Sequence, residues 1–368
     1  MLRNNKLNKI IFTTFLIFSL FLFFQSCTLS PYHKNESNNI VNSKVYENSY
    51  YLSANITDSI KILNTTIKIP ETINNNKYYD YEKYEKSAKI FNIEKINIHY
   101  QLYLPAVKPK GKILLVHGFA GSTFTYHTLA PMLANKGYVV VSIDLPNFGY
   151  SERLKIKLNS NCFADLIYQF ITNFDNIYNE DILKDIENSW NIIGHSMSGR
   201  ILIVFANKYK EKLDNLILIS PALSNSGNFP LITKIIPFNI FLNFYIQFSL
   251  KKENFAKILE KVYNRKPEQL EIDSYLTPLL IPDTISYVLY MLDVEEDIFY
   301  NPENILNKIE KNILLIWGED DKIVPFAKSM RFIDLIKNKV LKTIENSGHN
   351  SMETDTESVF NFINEFIK

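Results

Sequence analysis

Along most of the chain, short apolar runs alternate with stretches whose apolar residues recur every three to four positions, a pattern that sets in near Ile90. Short apolar runs read as buried strands and the spaced repeats as amphipathic helices. Strands are expected at Ile96–Leu104, Lys112–His117, Tyr138–Asp144, Asn191–His195, Asn215–Ser220, Asn312–Gly318 and Leu341–Glu345. Helices are expected at Thr125–Lys136, Ala164–Asn176, Ser198–Lys210, Pro325–Ile336 and Thr356–Ile367. In the third of these, Ile201, Leu202, Phe205 and Ala206 share a face that would pack on a sheet. Strands separated by helices imply an α/β fold with a mostly parallel central sheet flanked by helices.

Two segments depart from the alternation. Between Ser224 and Tyr300, Pro230, Pro237, Pro267, Pro278 and Pro282 punctuate apolar stretches, and none of these reads as a buried strand. Within that segment Ile236–Leu250 is apolar on nearly every face, unlike a surface helix. It must bury against the core, line a pocket or touch lipid, and Phe241 and Phe244 are its candidate pocket residues. At the other end, Arg3, Lys6 and Lys9 precede the uncharged run Ile10–Phe24. That run is shorter than the roughly 20 residues that span a bilayer core, which fits the apolar region of a signal peptide. Ser26 then offers a small residue before Cys27. The stretch resembles a bacterial lipoprotein signal, which implies that Cys27 is acylated and becomes the first mature residue. An uncleaved signal anchor is the alternative. Residues 27–86, rich in Asn, Ser, Tyr and Lys, read as a polar tether. Either reading places the body outside the cytoplasm, tied to a bacterial cell or outer membrane. The expected partition is residues 1–26 signal, 27–86 tether, 87–223 first part of the core, 224–300 cap and 301–368 second part of the core.

Composition narrows the function. Hydrophobic residues make up 46% and charged residues 21%, enough apolar mass for a substantial core. A net charge of +1 offers no electrostatic basis for a nucleic-acid partner. Cys27 and Cys162 lie far apart and no histidine pair has ligand spacing, so no zinc-type cluster is expected.

The residues that carry chemistry sit at strand ends. Asn191–Gly199 (NIIGHSMSG) is a strand entering a sharp turn and then a helix, with Ser196 at the turn. This is the pattern of a nucleophile elbow, here GxSxS, with Ser198 where a second glycine is usual. A lone serine is a weak nucleophile and needs a base and an orienting acid. Of the six histidines only His349 follows Ser196, in the loop Asn346–Asn350 before the last helix. The acid should follow the strand ending at Gly318, where Glu319, Asp320 and Asp321 compete. The Met197 N–H, directly after the nucleophile, is one candidate oxyanion donor, and such donors are worth about 3 kcal/mol each.

Elbow, acid loop and histidine loop, in this order, resemble those of the α/β-hydrolase superfamily. Leu115–Ser122 (LVHGFAGS) resembles its oxyanion loop and implies Phe119 as the second donor. Asp144–Ser151 (DLPNFGYS) resembles its D-x-x-G-x-G-x-S loop, with Asn147 at a usual glycine, which makes Asp144 structural. Gly318–Pro325 resembles the G-x-x-D-x-x-V-P element, which favours Asp321 over Asp320. The resemblance covers about residues 87–368 and is closest to capped lipase-, esterase- or C–C-hydrolase-like members, with a helical cap inserted after the sixth core strand. It implies a membrane-tethered serine hydrolase with the triad Ser196, Asp321 and His349, cleaving a small carboxylic ester with an apolar part. Nucleophilic serine chemistry of this kind would need neither a metal nor an organic cofactor. An acyltransferase or C–C hydrolase on the same triad and a non-catalytic receptor on the same fold are the alternatives.

Overall fold

Strands whose residues are apolar without interruption must be covered on both faces, and the sheet is built that way. The computed structural model describes residues 63–64, 88–93, 96–178, 182–224, 246, 248–292 and 301–367, so Cys27, Phe241 and Phe244 lie outside the described residues. The strands are β1 (Leu63–Asn64), β2 (Ala88–Ile93), β3 (Ile96–Tyr103), β4 (Gly111–Val116), β5 (Tyr138–Ile143), β6 (Trp190–His195), β7 (Leu213–Ile219), β8 (Ile313–Gly318) and β9 (Lys339–Ile344). They form one sheet in the order β1-β2-β3-β5-β4-β6-β7-β8-β9. Strands β4 to β9 are mutually parallel, while β3 joins β5 antiparallel and β1 and β2 continue that edge antiparallel.

Alternate residues of each strand feed different cores. Leu114 and Val116 of β4, Ile192 of β6 and Leu216 and Leu218 of β7 join the larger cluster. Ile113 and Leu115, Ile193, and Ile217 and Ile219 join the smaller one on the opposite face. Helices α1 (Leu129–Asn135), α2 (Ser160–Tyr178) and α3 (Ser198–Lys208) follow β4, β5 and β6. The expected single helix Thr125–Lys136 is broken instead into a 3-10 turn at Thr123–Tyr126 and α1. The Ser122 hydroxyl accepts from Phe124 N–H at 3.2 Å and caps that turn, which ends before α1 begins.

Between β7 and β8 the described residues form α4 (Lys252–Tyr263), α5 (Gln269–Leu279) and α6 (Thr284–Leu292). Phe255, Leu259 and Tyr263 of α4 bury with Leu270, Ile272, Tyr275 and Leu276 of α5 in a third cluster, which also takes in Phe124 of the core. Arg153 ties this layer down, donating to Thr284 Oγ1 at 2.8 Å and to the Pro278 carbonyl at 3.0 Å. The chain closes with α7 (Phe326–Ile333) and α8 (Thr356–Phe366). Among the described residues no helix is long and apolar enough to cross a membrane.

Candidate active site

Chain order reverses direction in the sheet at β4, which has β5 on one side and β6 on the other. In open α/β sheets ligands bind at the carboxyl ends of strands near such a point. Gly118 follows β4, Ser196 follows β6, Asp321 follows β8 and His349 follows β9, so every candidate residue stands at that end.

Ser196 is buried, with φ of 51°, a left-handed backbone that a non-glycine residue adopts only where its surroundings enforce it. Its N–H donates to the Ile219 carbonyl at 3.0 Å, and its carbonyl accepts from Gly199 and Ala222, both at 2.9 Å. Ser198 contributes more than small size. Its buried hydroxyl accepts from His195 N–H at 2.8 Å and donates to the Val116 carbonyl at 2.8 Å, pinning the elbow to the end of β4. This explains how the turn survives without the usual glycine.

His349 Nδ1 donates to Asp321 Oδ2 at 2.7 Å. The other carboxylate oxygen accepts from Ile323 and Val324 N–H at 2.8 and 2.9 Å, so Asp321 is held at both ends. Asp320 faces outward, where its Oδ2 accepts from Asn264 Nδ2 at 3.0 Å. Of the competing carboxylates, the one that meets the histidine is Asp321. With Nδ1–H on the carboxylate, Nε2 is the ring nitrogen left to carry a lone pair. His195 adds a contact not anticipated from sequence: its Nε2 lies 3.1 Å from the His349 carbonyl, with the two rings 4.6 Å apart. Burial, and then the neighbouring His349, push His195 well below the ordinary histidine range, so it is a neutral donor to that carbonyl.

The loop after β4 approaches the elbow closely. A Cβ on Gly118 would lie 2.8 Å from His195 Nδ1 and 3.0 Å from Ser196 Cβ, so this position needs glycine. Half-buried Phe119 packs edge-on against Phe148, with ring centroids 5.5 Å apart. Met197 opens α3, where helix N–H groups lack intrahelical partners. Behind the loop, His117 Nε2 accepts from Leu145 N–H at 2.9 Å and its Nδ1 therefore donates to the Gly118 carbonyl at 2.6 Å. His117 is thus a loop-holding residue, and burial lowers its pKa.

Asp144 is structural too. It accepts from Thr123 N–H at 2.5 Å, Tyr150 N–H at 2.7 Å and His99 Nδ1 at 2.6 Å. Burial raises its carboxyl pKa, but His99 and the hydrogen bonds outweigh that and hold it below its ordinary value. Asn147 takes the left-handed backbone of the family's glycine, with φ of 69°.

Ser196, His349, Gly118 and Phe119 line one cavity of about 190 Å³. Its far wall is Phe255, Ile258, Leu259, Val262, Leu279 and Val288, from the helices between β7 and β8. Of the apolar run Ile236–Leu250, the described Ile246, Ser249 and Leu250 also line it, whereas Phe248 is exposed. Thr125, Tyr275 and Asn350 supply a polar patch that the sequence pattern did not single out.

Residues 107–357, which include all four strand-end loops, match the Hydrolase_4 family, serine aminopeptidase S33. The chain belongs to that family. It is a hydrolase of the α/β-hydrolase superfamily. It is 28% identical over 285 residues to an uncharacterised hydrolase, YugF, of Bacillus subtilis, covering 76% of this chain and 97% of that protein. It is 26% identical over 268 residues to the 2-hydroxy-6-oxo-6-(2'-aminophenyl)hexa-2,4-dienoic acid hydrolase of Metapseudomonas resinovorans, covering 70% and 84% respectively. Among solved structures, a bacterial membrane phospholipase A shares the fold with a TM-score of 0.60 at 21% identity, covering 76% of this chain and 85% of that one.

Proposed function

We propose that the protein is a serine hydrolase that cleaves uncharged carboxylic esters with an apolar acyl or alcohol part. In this reading Ser196 attacks the carbonyl and His349 Nε2 takes its proton, because Asp321 holds Nδ1–H. The Phe119 and Met197 N–H groups stabilise the oxyanion. His349 returns the proton to the leaving alcohol, and water then releases the acid from Ser196. The observation that carries the substrate class is the cavity wall. Its described residues are mostly aliphatic and aromatic, the polar ones among them, such as Thr125, Ser249 and Asn350, are neutral, and none is Lys, Arg, Asp or Glu. A dienoic acid, as the Metapseudomonas relative's name prints, brings a carboxylate that would call for a cation. An aminopeptidase substrate brings an ammonium that would call for an anion. A neutral ester needs neither.

Burying a chain against such a wall is worth about 0.8 kcal/mol per CH₂, or roughly fourfold in kcat/KM per methylene until the cavity is full. A p-nitrophenyl ester series should rise accordingly, and Val288→Phe should move the plateau to a shorter chain. A flat profile, or preference for an ester bearing a carboxylate, would refute the substrate class.

The helices between β7 and β8 act as the cap in this proposal, and the N-terminus as the tether: Cys27 carries a fatty acyl group after cleavage at Ser26. Labelled fatty acid should enter the wild type and not Cys27→Ser. An intact N-terminus by mass would instead support a signal anchor.

A further inference from the structure

Helix α4 ends on the loop that carries His349. The Val262 carbonyl, in the last turn of α4 and beyond the reach of its own helix, accepts from His349 N–H at 2.7 Å. The contact is so close that a Cβ on Gly348 would fall 2.5 Å from that oxygen. One turn beyond His349, Glu353 faces the same helices. Its two oxygens accept from the hydroxyls of Tyr263 on α4 and Tyr275 on α5. Asn350, next to His349, donates to the Tyr275 hydroxyl at 3.2 Å and weakly to Glu353 at 3.4 Å. Tyr275 also meets Thr125 at 3.0 Å, and Tyr275, Asn350, Thr125 and Val262 all line the cavity.

We propose that Glu353 is a positioning residue, locking α4 and α5 to the His349 loop so that the cavity wall and the catalytic base keep one fixed relation. The inference rests on the reading of His349 as general base. Glu353 has no place in the triad, yet its side chain spans two of the helices that form the wall. Tyr263 on α4, Tyr275 and Glu271 on α5, Arg265 between them and Tyr126 beside the oxyanion loop are the titratable groups around it. Arg265 forks onto Glu271 at 3.0 and 2.6 Å, which directs that cation to the neighbouring carboxylate. Burial pushes the Glu353 carboxyl up to about 8, against the two phenol hydrogen bonds that favour its charged form. Near neutral pH the group is protonated, so in that form its own O–H donates to one of the two phenol oxygens while the other oxygen accepts, and ionisation above pH 8 puts a negative charge behind the apolar wall.

The test compares full-length wild type with Glu353→Gln, Glu353→Ala and Tyr275→Phe. It measures kcat and KM for p-nitrophenyl acetate and a long-chain ester from pH 6 to 9.5, and the low-field NMR resonance of the His349 Nδ1 proton. A misplaced base costs about 10²-fold, so Glu353→Ala should lower kcat for the acetate by roughly 10- to 100-fold and shift or broaden that resonance. Glu353→Gln, of equal size and uncharged, should stay within about threefold at pH 7. It should also abolish a rise in long-chain KM that the wild type shows through pH 8. Tyr275→Phe keeps the ring and removes one tie, so it should raise long-chain KM and shift the same resonance even if Glu353→Ala does not fold. An unchanged kcat and resonance in Glu353→Ala or Tyr275→Phe, with only a lower melting temperature, would overturn the proposal. If wild type hydrolyses no ester, the functional reading fails, while the resonance still decides whether Glu353 positions His349.

Discussion

Replacing Asp321 by asparagine changes one atom and should remove nearly all activity. In the wild type Asp321 Oδ1 accepts two backbone N–H groups and Oδ2 accepts His349 Nδ1–H at 2.7 Å. Asparagine keeps its carbonyl oxygen on the two backbone donors, at the position of Oδ1. The amide nitrogen is then left facing Nδ1, and two donors cannot share that contact. His349 must move its proton to Nε2, the nitrogen that should receive the serine proton, and the base is lost. Loss of the correct tautomer in such a triad costs on the order of 10⁴ in kcat, or about 5.5 kcal/mol of transition-state stabilisation. Asp320→Asn keeps an acceptor for Asn264 on an exposed loop and should stay within about 0.5 kcal/mol, roughly twofold in rate. The assay is kcat and KM on one p-nitrophenyl ester for both variants, with melting temperatures to exclude unfolding. If Asp320→Asn were the more damaging, the assignment of the acid would be wrong although the fold would stand.

Gly118→Ala forces a Cβ against His195 and Ser196, pushing away the loop that carries Phe119; kcat should fall about 10²- to 10³-fold, as for loss of an oxyanion donor, with KM changing far less. A rise in KM at constant kcat would instead mean that the loop binds substrate without stabilising the oxyanion. Ser198→Ala leaves the buried His195 N–H without its acceptor and takes one of two donors from the Val116 carbonyl, which keeps the Tyr126 hydroxyl at 2.9 Å; it should cost about 1–3 kcal/mol of stability in denaturant melts, whereas an unchanged midpoint would show that water replaces the hydroxyl.

The inner parallel strands were legible because both of their faces are buried, which leaves uninterrupted apolar runs such as Ile313–Trp317, whereas the edge strand β9 is largely half-buried or exposed. Ser196 and His349 were legible from chain order and position, and Asp321 needed the family spacing to stand apart from Asp320. Helix ends were less so. Helix α2 starts at Ser160 and runs to Tyr178, beyond the expected Ala164–Asn176, because its first turn is polar and is capped by Asn159 Oδ1 accepting from Cys162 N–H at 2.9 Å. Ser198 could be read as small enough for the elbow, but not as a hydrogen-bonding member of it, since its partner Val116 lies on another strand. The contacts of Glu353 with Tyr263 and Tyr275 join residues far apart in sequence, and no local spacing encodes them. Within the apolar run Ile236–Leu250, Phe248 is exposed, and apolar periodicity alone could not separate it from Ile246, which faces the cavity.

The central claim is that Ser196 is the nucleophile of a hydrolytic triad. A fluorophosphonate probe followed by peptide mass spectrometry tests it most directly, run alongside ester hydrolysis by the same samples. Wild type should carry one phosphonyl adduct, on Ser196, and lose its activity as labelling proceeds, while Ser196→Ala should neither label nor turn over above background. An adduct on another residue, or hydrolysis that persists in Ser196→Ala, would contradict the account.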